Sequence, residues 1–450
     1  MLPKGNKKLE IKLFQSIGYK LIFNEKYKLR INEIMKINTN PVRGMKDFLP
    51  DEAELRERVK RTIIDTYTSF GYRKIETPAL EHLELLTGGD GGENEKLIFK
   101  VLKRGEKLDL ASVKDEKDLS EEGLRFDLTV PLTRIYANNQ GNIPLPFKVI
   151  QTDYVFRAER PQKGRYRQFM QCDIDIIGEE SCVAEIDLLT ASSKALINIG
   201  FEDFTIKIND RKILHAMANK WGFEEKDHDS VFITMDKLDK IGAEGVQKEL
   251  ASRGFSEEAA EKMMFDITQF EAGEFNHLYL NDDVKKVIEA ISLTSKGQFK
   301  IEFDPTLVRG MGYYTGMIYE IKYKDYPGSV GGGGRYDKMI GKRIGNDVPA
   351  CGFSIGFERI VDIMMEKGQA KDKKEKLAII FDPEKDDVKR VYTEAEAQRI
   401  INKCIVSVVK KDKKFGRQMK KLLDQGFTRY GELTDNFSAF TSKELKANED

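Results

Sequence analysis

Residues 307–316 combine side chains that rarely occur together in one short segment. The run Leu-Val-Arg-Gly-Met-Gly-Tyr-Tyr-Thr-Gly holds one arginine, two adjacent tyrosines and three glycines. Arginine offers a planar fork of donors that fits a carboxylate or a phosphate, and glycine lets the backbone approach a ligand closely. If the run is a strand, Tyr313 and Tyr314 point to opposite faces, so at most one of them lines a given pocket wall. The run therefore predicts a site for a small charged ligand beside aromatic walls.

A second group of chemically active side chains lies between residues 156 and 169, with the sequence Phe-Arg-Ala-Glu-Arg-Pro-Gln-Lys-Gly-Arg-Tyr-Arg-Gln-Phe. A predicted strand ends at Arg157, and the chain then turns and leaves through Arg165 and Arg167. Five cations within eleven residues at a hairpin tip can contact a polyphosphate and a nucleic-acid backbone together. Taken alone, the same charge run is equally compatible with a solvated surface loop.

A third segment, residues 352–360, has the sequence Gly-Phe-Ser-Ile-Gly-Phe-Glu-Arg-Ile. It predicts a glycine-spaced strand that leads into a helix with Arg359 in its first turn. Both the helix N-terminus and the guanidinium favour an anion. Glycine at a strand–helix junction can equally serve packing, so this segment indicates an anion site only in combination with the other two segments.

Hydrophobic periodicity predicts the elements that must position these residues. Up to residue 208 it predicts helices over 52–70 and 184–196, strands over 72–77, 147–156, 173–177 and 204–208, a hairpin over 98–110 and a strand over 124–132. Residues 210–293 are mostly helical and highly charged, and strand character returns at 299–303 and continues to 323. After a charged linker, strands over 377–381, 405–409 and 427–430 alternate with helices over 388–402 and 415–425, which is typical of a small α/β domain.

Length and composition narrow the class of protein. A chain of 450 residues is too long for one core, so two or three domains are expected. The 75 basic and 75 acidic side chains balance, which argues against a globally basic nucleic-acid binder but permits a local basic patch. The four cysteines lie far apart and predict reduced thiols rather than a zinc site. We find no apolar run of membrane-spanning length and no signal peptide, and we expect a soluble cytoplasmic protein.

Taken together, the segments follow the order of the three motifs of class II aminoacyl-tRNA synthetases: a helix and a strand ending at Pro78, an arginine-ended strand and loop, and Gly-Phe-Glu-Arg. Residues 307–316 resemble the histidine motif of the histidyl-tRNA synthetase family. Three further segments resemble motifs of the same family: residues 40–47 (Asn-Pro-Val-Arg-Gly-Met-Lys-Asp), 124–129 (Leu-Arg-Phe-Asp-Leu-Thr) and 331–337 (Gly-Gly-Gly-Gly-Arg-Tyr-Asp). The resemblance covers roughly residues 40–436.

The resemblance implies an α+β fold in which a class II antiparallel-sheet catalytic domain is formed by residues 39–205 and 299–368. A helical insertion domain would occupy residues 206–298, and an anticodon-binding-like α/β domain residues 376–443. Residues 1–38 are expected to be an N-terminal extension, or translation begins at Met35. The family also implies a homodimer, which no pattern in the sequence indicates independently.

The resemblance further assigns roles to individual residues. For L-histidine, Asp127, Thr129 and Gln171 would bind the α-ammonium group, and Asp175 and Tyr314, with Tyr313 beside them, would read the imidazole. Arg157 and Arg309 would be the catalytic cations on the α-phosphate of ATP, with Glu159, Arg165 and Arg359 around the remaining phosphates. Gln162, Lys163 and Arg167 would contact the acceptor end of the tRNA. Mg²⁺ would be held mainly through ATP. Without the resemblance, the preferred interpretation of Asp175 is a surface carboxylate on a half-buried strand, and core packing is expected for one of the two tyrosines.

The implied activity is that of a histidine–tRNA ligase, which forms histidyl-adenylate from L-histidine and ATP and transfers the histidyl group to tRNA(His). The alternative is a non-catalytic histidine-sensing paralogue that resembles the regulatory subunit of ATP phosphoribosyltransferase. That family typically lacks the anticodon domain and loses the arginines on the ATP side, whereas Arg157, Arg309 and Arg359 are present here. An RNA-binding or signalling protein on the same scaffold is disfavoured by the intact ligand motifs. The chain departs from the family at Gly312, where aspartate is common.

Overall fold

A computed structural model describes residues 22–23, 29–30, 38–88, 96–108, 110–111, 113–115, 118–161, 164–272, 280–308, 313–369, 375–433 and 440–445. The chain divides into two compact units, Met1–Asp47 and Phe48–Asp450. In the first unit, strands β1 (Ile22–Phe23) and β2 (Leu29–Arg30) pair in antiparallel fashion. Within the described ranges, no helix is both long enough and apolar enough to cross a bilayer.

The second unit begins with helix α1 (Pro50–Ser69), which confirms the periodicity read over residues 52–70. Its apolar residues recur every four positions, and this stripe is at most 1 % exposed: Leu55, Val59, Ile63 and Tyr67. Proline in the first turn is tolerated because its missing N–H would have no partner there. The chain then reaches the short strand β3 (Arg73–Lys74).

The next segment forms a small sheet that differs from the predicted one. Strand β4 (Leu80–His82), helix α2 (Leu83–Thr87), strand β5 (Lys100–Leu102) and strand β6 (Ser120–Leu124) follow in order, and the strands lie as β4-β6-β5. The predicted hairpin over 98–110 is wrong, because β5 pairs with β6 and residues 105–107 form a 3-10 turn. The expected strand over 124–132 is also wrong, since helix α3 (Thr129–Asn139) starts there and accommodates Pro131 in its first turn.

The remaining elements of the catalytic region alternate between long strands and helices. In chain order they are β7 (Phe147–Phe156), β8 (Gln168–Ile177), α4 (Val183–Asn198), β9 (Phe204–Asp210), α5 (Arg211–Trp221), α6 (His228–Met235), α7 (Leu238–Ser252), α8 (Glu257–Glu271), α9 (Asp282–Ser295), β10 (Phe299–Phe303), β11 (Met317–Tyr323), β12 (Ser329–Arg335), α10 (Asp337–Ile344), β13 (Ala350–Ile355) and α11 (Phe357–Glu366). In the described parts of the charged stretch between β9 and β10, the α-helices are α5–α9. The predicted continuation of strand character through residues 307–316 is wrong for the part that the structure describes, because residues 307–308 and 313–316 lie outside strands and β11 begins at Met317.

An eight-stranded sheet organises this region, with the strand order β10-β9-β11-β12-β13-β8-β7-β3. Its pairs are antiparallel except β10 with β9 and β3 with β7. Because side chains alternate along β8, Cys172, Ile174 and Ile176 point into the apolar core, where α1 and α4 also pack. Gln171, Asp173 and Asp175 therefore share the opposite face of the sheet.

The C-terminal elements form a separate four-stranded sheet. They are β14 (Lys376–Phe381), α12 (Val388–Ile401), β15 (Ile405–Lys410), α13 (Phe415–Asp424), β16 (Arg429–Glu432) and β17 (Ser442–Glu444). Strands β15, β14 and β16 are parallel, and β17 adds an antiparallel edge that the sequence did not predict. Alternate residues of β14 face two apolar clusters: Leu377 and Ile379 face the α12 side, and Ala378 and Ile380 the α13 side. The predicted α/β character is confirmed.

Candidate active site

A cavity of about 420 Å³ lies on the polar face of the eight-stranded sheet. It brings together most of the residues singled out from the sequence: Asp127, Thr129, Arg157, Glu159, Arg165, Gln171, Asp175, Tyr313, Tyr314 and Arg359. Arg167 is not among the residues that line it, and its Nε donates to the carbonyl oxygen of Glu159 at 3.1 Å. Arg309, Gln162 and Lys163 lie outside the described residues.

Three buried aspartates line this cavity and share one arrangement, in which one oxygen is held by the protein. Asp127 Oδ1 accepts from the Val130 amide at 3.0 Å, where α3 begins. Asp175 Oδ1 accepts from the Tyr336 hydroxyl at 2.7 Å, and Asp173 Oδ2 accepts from Gln171 Nε2 at 3.3 Å. The backbone and neighbouring side chains thus fix the orientation of each carboxyl group.

The second oxygen of each aspartate has no partner among the described residues, and neither does Gln171 Oε1. The four atoms are Asp127 Oδ2, Gln171 Oε1, Asp173 Oδ1 and Asp175 Oδ2. A buried acceptor that lacks a donor costs about 1–3 kcal/mol, and four of them on one cavity are unusual in a native protein. The arrangement suits a ligand that brings several N–H donors and a positive charge.

The electrostatics of the cavity agree with a cationic ligand. Burial raises the pKa of Asp175 to about 7. Burial, and then the nearby charge of Asp175, raises the pKa of Asp173 well above its ordinary range. The pKa of Asp127 is raised as well, by burial first, and the guanidinium of Arg157 opposes part of that rise. A bound cation would favour the ionised forms and lower all three pKa values.

Glycines in strands β12 and β13 make room for the side chains that line the cavity. A Cβ atom at Gly352 would lie 2.0 Å from Asp175 Oδ1, and one at Gly334 would lie 2.8 Å from the ring of Tyr314. The strand register places Gly352 beside Asp175 on one side and Gly334 on the other. Any larger residue at Gly352 would displace the carboxylate that the cavity presents.

Both tyrosines of the 307–316 run line the cavity, so the expectation that only one would do so is wrong. Their ring centroids are 4.8 Å apart, and Tyr336 lies 6.3 Å from Tyr313 with its ring nearly perpendicular. The alternation rule does not apply, because the pair precedes β11 in a turn rather than lying within a strand. Together the three rings form an aromatic wall.

Three guanidinium groups from separate elements reach the same cavity. Arg157 follows β7, where its Nε donates to the Phe126 carbonyl at 2.9 Å. Arg359, in the first turn of α11, donates to the carbonyl oxygen of Ser329. Arg165 is half-exposed and lies 3.9 Å from the carboxylate of Glu159. These cations provide anchoring points for a carboxylate and a polyphosphate.

A buried ion pair connects the elements that carry the residues lining the cavity. Arg56 of α1 donates through Nη2 to Glu358 Oε1 at 2.8 Å and through Nη1 to Glu358 Oε2. The same Glu358 Oε1 accepts from the Met170 amide at 2.9 Å. The pair therefore joins α1, β8 and α11, the elements that carry the acids and Arg359. Removing one partner would leave a buried charge, at a cost of about 3–5 kcal/mol.

Among the residues that line the site, sequence reasoning did not assign Asp173, Tyr336 and Ser354 to it. Asp173 had a usable signal, because Gln171, Asp173 and Asp175 alternate along one strand and must share a face. Tyr336 directly follows β12 and Ser354 lies on β13, so their proximity to the acids depends on the strand register. No local sequence pattern contains that information.

Comparisons with known proteins agree on one family. The family model described as "Histidyl-tRNA synthetase" matches residues 44–360. A histidine–tRNA ligase of Leifsonia xyli is 44 % identical over 76 % of this chain and 84 % of its own length. A histidine–tRNA ligase of Christiangramia forsetii is 35 % identical over 90 % of this chain and 95 % of its own.

Solved structures show the same fold. The crystal structure of histidyl-tRNA synthetase from Nostoc sp. PCC 7120 superposes with a TM-score of 0.73 at 26 % identity, covering 91 % of this chain and 95 % of that one. An ATP phosphoribosyltransferase regulatory subunit/histidyl-tRNA synthetase from Bacillus halodurans has a TM-score of 0.67 at 20 % identity, over 88 % and 97 % of the two chains, which shows the fold alone. From the family match, the identity to its relatives and the shared architecture, the chain belongs to the histidyl-tRNA synthetase family.

Proposed function

We propose that this protein is a histidine–tRNA ligase, which activates L-histidine with ATP to histidyl-adenylate and transfers it to the 3′ end of tRNA(His). The observation that carries the proposal is the meeting of orphaned carboxylate oxygens with three guanidinium groups on one cavity. Few small molecules need both sets of partners. A histidine and an ATP together bring an ammonium, an imidazole, a carboxylate and a triphosphate.

Histidine binding is assigned to the acidic and aromatic residues. Asp127, Thr129 and Gln171 bind the α-ammonium group, where a carboxylate offsets the fixed positive charge of the ligand. Asp175, with Tyr313 and Tyr314, reads the imidazole. Recognition through the two ring nitrogens is selective because an isostere without them would leave buried polar groups unpaired, a discrimination of about 10⁴ or more.

ATP binding and activation are assigned to the arginines. Arg157 and Arg309 hold the α-phosphate, while Arg165 and Glu159 lie near the other phosphates and Arg359 binds the γ-phosphate. The histidine carboxylate attacks the α-phosphorus in line, the bond to the β-phosphate oxygen breaks, and pyrophosphate leaves. Because positioning and charge neutralisation supply most of the catalysis in such transfers, no side-chain nucleophile is required. Mg²⁺ would arrive bound to the phosphates of ATP and neutralise part of their charge.

Transfer to RNA completes the proposed reaction. The terminal ribose hydroxyl of the tRNA attacks the carbonyl carbon of the adenylate and releases AMP. Gln162, Lys163 and Arg167 contact the acceptor end of the tRNA. Gly164 follows the first two of them, and a Cβ atom added there would lie 3.6 Å from Arg359 Cγ. Gly164 therefore lies beside Arg359, a proposed ATP ligand.

The remaining domains receive supporting roles in the proposal. Residues 39–205 and 299–368 form the catalytic domain, residues 206–298 the insertion domain and residues 376–443 the anticodon-binding domain, and the enzyme acts as a homodimer. Lysines at 410, 411, 413 and 414 precede α13 and suit an RNA backbone. Of these, Lys411 already pairs with Glu432 at 2.9 Å, so an RNA contact there would compete with an internal one.

Two measurements on the purified full-length protein test the proposal. Histidine-dependent exchange between ATP and labelled pyrophosphate reports activation, and calorimetric titration with histidine reports binding. We expect both. Binding without exchange would instead identify the histidine-sensing paralogue, whereas the absence of both would remove histidine from the site altogether.

A further inference from the structure

We infer that Asp173 is a further specificity-determining residue, whose free carboxylate oxygen accepts an N–H from the α-ammonium group of bound histidine. The inference rests on the function proposed above and deepens it. It adds a second carboxylate to the partners of the ammonium, besides Asp127. No resemblance in the sequence pointed to this residue.

The position of Asp173 places it at the centre of the proposed amino-acid site. It lies on β8 between Gln171 and Asp175, with its side chain on the cavity face, and it is 4 % exposed. Across the sheet, its register partners are Gln151 on β7 and Ser354 on β13, both of them neutral. The strands on either side therefore supply no cation to balance its charge.

The bonds of Asp173 leave one oxygen available. Gln171 Nε2 donates to Oδ2 at 3.3 Å and also approaches Ser354 Oγ at 3.4 Å. Oδ1 is buried and receives no hydrogen bond from the described residues. A carboxylate with only structural duties would be expected to have both oxygens satisfied when it is buried this deeply.

Counting donors and acceptors favours the ammonium over the imidazole. An ammonium group has three N–H donors, and we assign to it three unpaired acceptors that line the cavity, one each from Asp127, Gln171 and Asp173; Gln151 Oε1, which also lacks a partner among the described residues, does not line the cavity. Asp175, the fourth, is next to Tyr336 and the aromatic wall that suits the imidazole. Thr129 carries a hydroxyl, which can donate to the ligand carboxylate as well as accept.

The charges around Asp173 make its ionisation depend on the ligand. The main charged groups acting on it are Asp175 on the same strand, Asp127 before α3 and Arg157 after β7. Burial and the two acids raise the pKa of Asp173, whereas a side-chain hydrogen bond with Ser354 and then the charge of Arg157 oppose part of that rise. An incoming ammonium reverses the balance, so Asp173 releases its proton when the ligand binds.

Two histidine analogues separate the ammonium from the imidazole. L-Histidinol keeps the ammonium and the imidazole, whereas 3-(imidazol-4-yl)propionate lacks the ammonium. We would measure both by calorimetry with the wild type, Asp173→Asn and the control Glu320→Gln. Glu320 is connected to Asp173 across the sheet by successive register pairs: Glu320 with Gly332, Gly332 with Ser354, and Ser354 with Asp173. It is a suitable control because it does not line the cavity.

We expect Asp173→Asn to weaken histidinol binding at least about tenfold, as for the loss of a hydrogen bond to a charged group, and to change imidazolepropionate binding less than about twofold. Retained imidazolepropionate binding also shows that the variant is folded. In buffers of different ionisation enthalpy, histidinol should release fewer protons from Asp173→Asn than from the wild type. Glu320→Gln should behave as the wild type throughout.

Other outcomes would overturn the inference. Equal losses for both analogues would place Asp173 against the imidazole or give it a purely structural role, and unchanged histidinol binding would remove it from the ligand. A wild type that binds neither histidine nor histidinol would refute the proposed function itself. The two failures can be distinguished: if the wild type binds histidine and histidinol, the proposed function stands and only the inference about Asp173 can fail.

Discussion

Replacing Gly352 by alanine tests whether the glycine in β13 exists to admit the carboxylate of Asp175. The added Cβ would lie 2.0 Å from Asp175 Oδ1, well inside van der Waals contact, and backbone on both sides holds the strand in place. Asp175 must therefore rotate and lose its 2.7 Å hydrogen bond from the Tyr336 hydroxyl. We expect the free energy of histidine binding to fall by about 1.5–3 kcal/mol, the usual value of a hydrogen bond to a charged group.

That loss corresponds to a roughly 10- to 150-fold higher KM for histidine in pyrophosphate exchange, while the KM for ATP should change little. Overpacking should also lower the free energy of unfolding by ~1–3 kcal/mol. Cys351→Ala is the matched control, because Cys351 is fully buried on the opposite face of the same strand. It should lower stability by ~1 kcal/mol and leave the KM for histidine unchanged. A folded Gly352→Ala variant with the wild-type KM for histidine would refute the reasoning, as would equal increases in both KM values.

Three further predictions address other parts of the site. Arg309→Ala should abolish pyrophosphate exchange with only a modest loss of histidine affinity by calorimetry, and an equal collapse of affinity would move Arg309 into the amino-acid pocket. Burial raises the pKa of Asp175 to about 7, and the ionised carboxylate accepts a hydrogen bond from the imidazole of the ligand. The affinity for histidine should therefore rise between pH 6 and 8, and this rise should be smaller in the Asp175→Asn variant. Arg56→Met should lower the free energy of unfolding by about 3–5 kcal/mol in denaturant titrations by stranding Glu358; a loss under ~1 kcal/mol would contradict the supporting role of the pair.

Long periodic segments were predictable because local chemistry determines them. The helix over 52–70 and the strand over 147–156 follow from apolar spacing, and both are present as α1 and β7. The hairpin expected over 98–110 failed for a different reason. Leu102 and Leu110 are mostly exposed, so apolar residues in that segment do not mark a buried strand pair.

The cavity itself was only partly predictable. Residues within one segment, such as Gln171 and Asp175, could be grouped from the sequence because they share a strand. The contacts of Asp175 with Tyr336 and Gly352 depend on pairing between strands that are far apart in the chain. Two-residue periodicity gives the face of a strand, whereas register is set by the whole sheet. For that reason many of the residues that line the cavity were predictable, but the interactions that orient them were not.

Strand β12 shows how the sheet accommodates a binding site at its centre. Its four consecutive glycines weaken the strand, since each costs roughly 0.5–1 kcal/mol relative to alanine. They are retained between β11 and β13 because neighbouring atoms occupy the space of the missing side chains. A Cβ at Gly331 would lie 2.8 Å from the ring of Phe353, and one at Gly333 would lie 1.9 Å from the Gly352 carbonyl oxygen.

The orphaned acceptors carry a related cost. Four buried oxygens have no donor among the described residues of the protein, so a ligand that supplies those donors can pair them without any change in the fold. Molecules that lack an ammonium or a ring N–H leave part of this cost in place. Selectivity for histidine would then arise from the hydrogen-bond donors that the protein does not supply to these acceptors, as well as from the contacts that the site makes with the ligand. The glycines leave the space that the acids and tyrosines occupy, and in the proposed function the acids select the ligand.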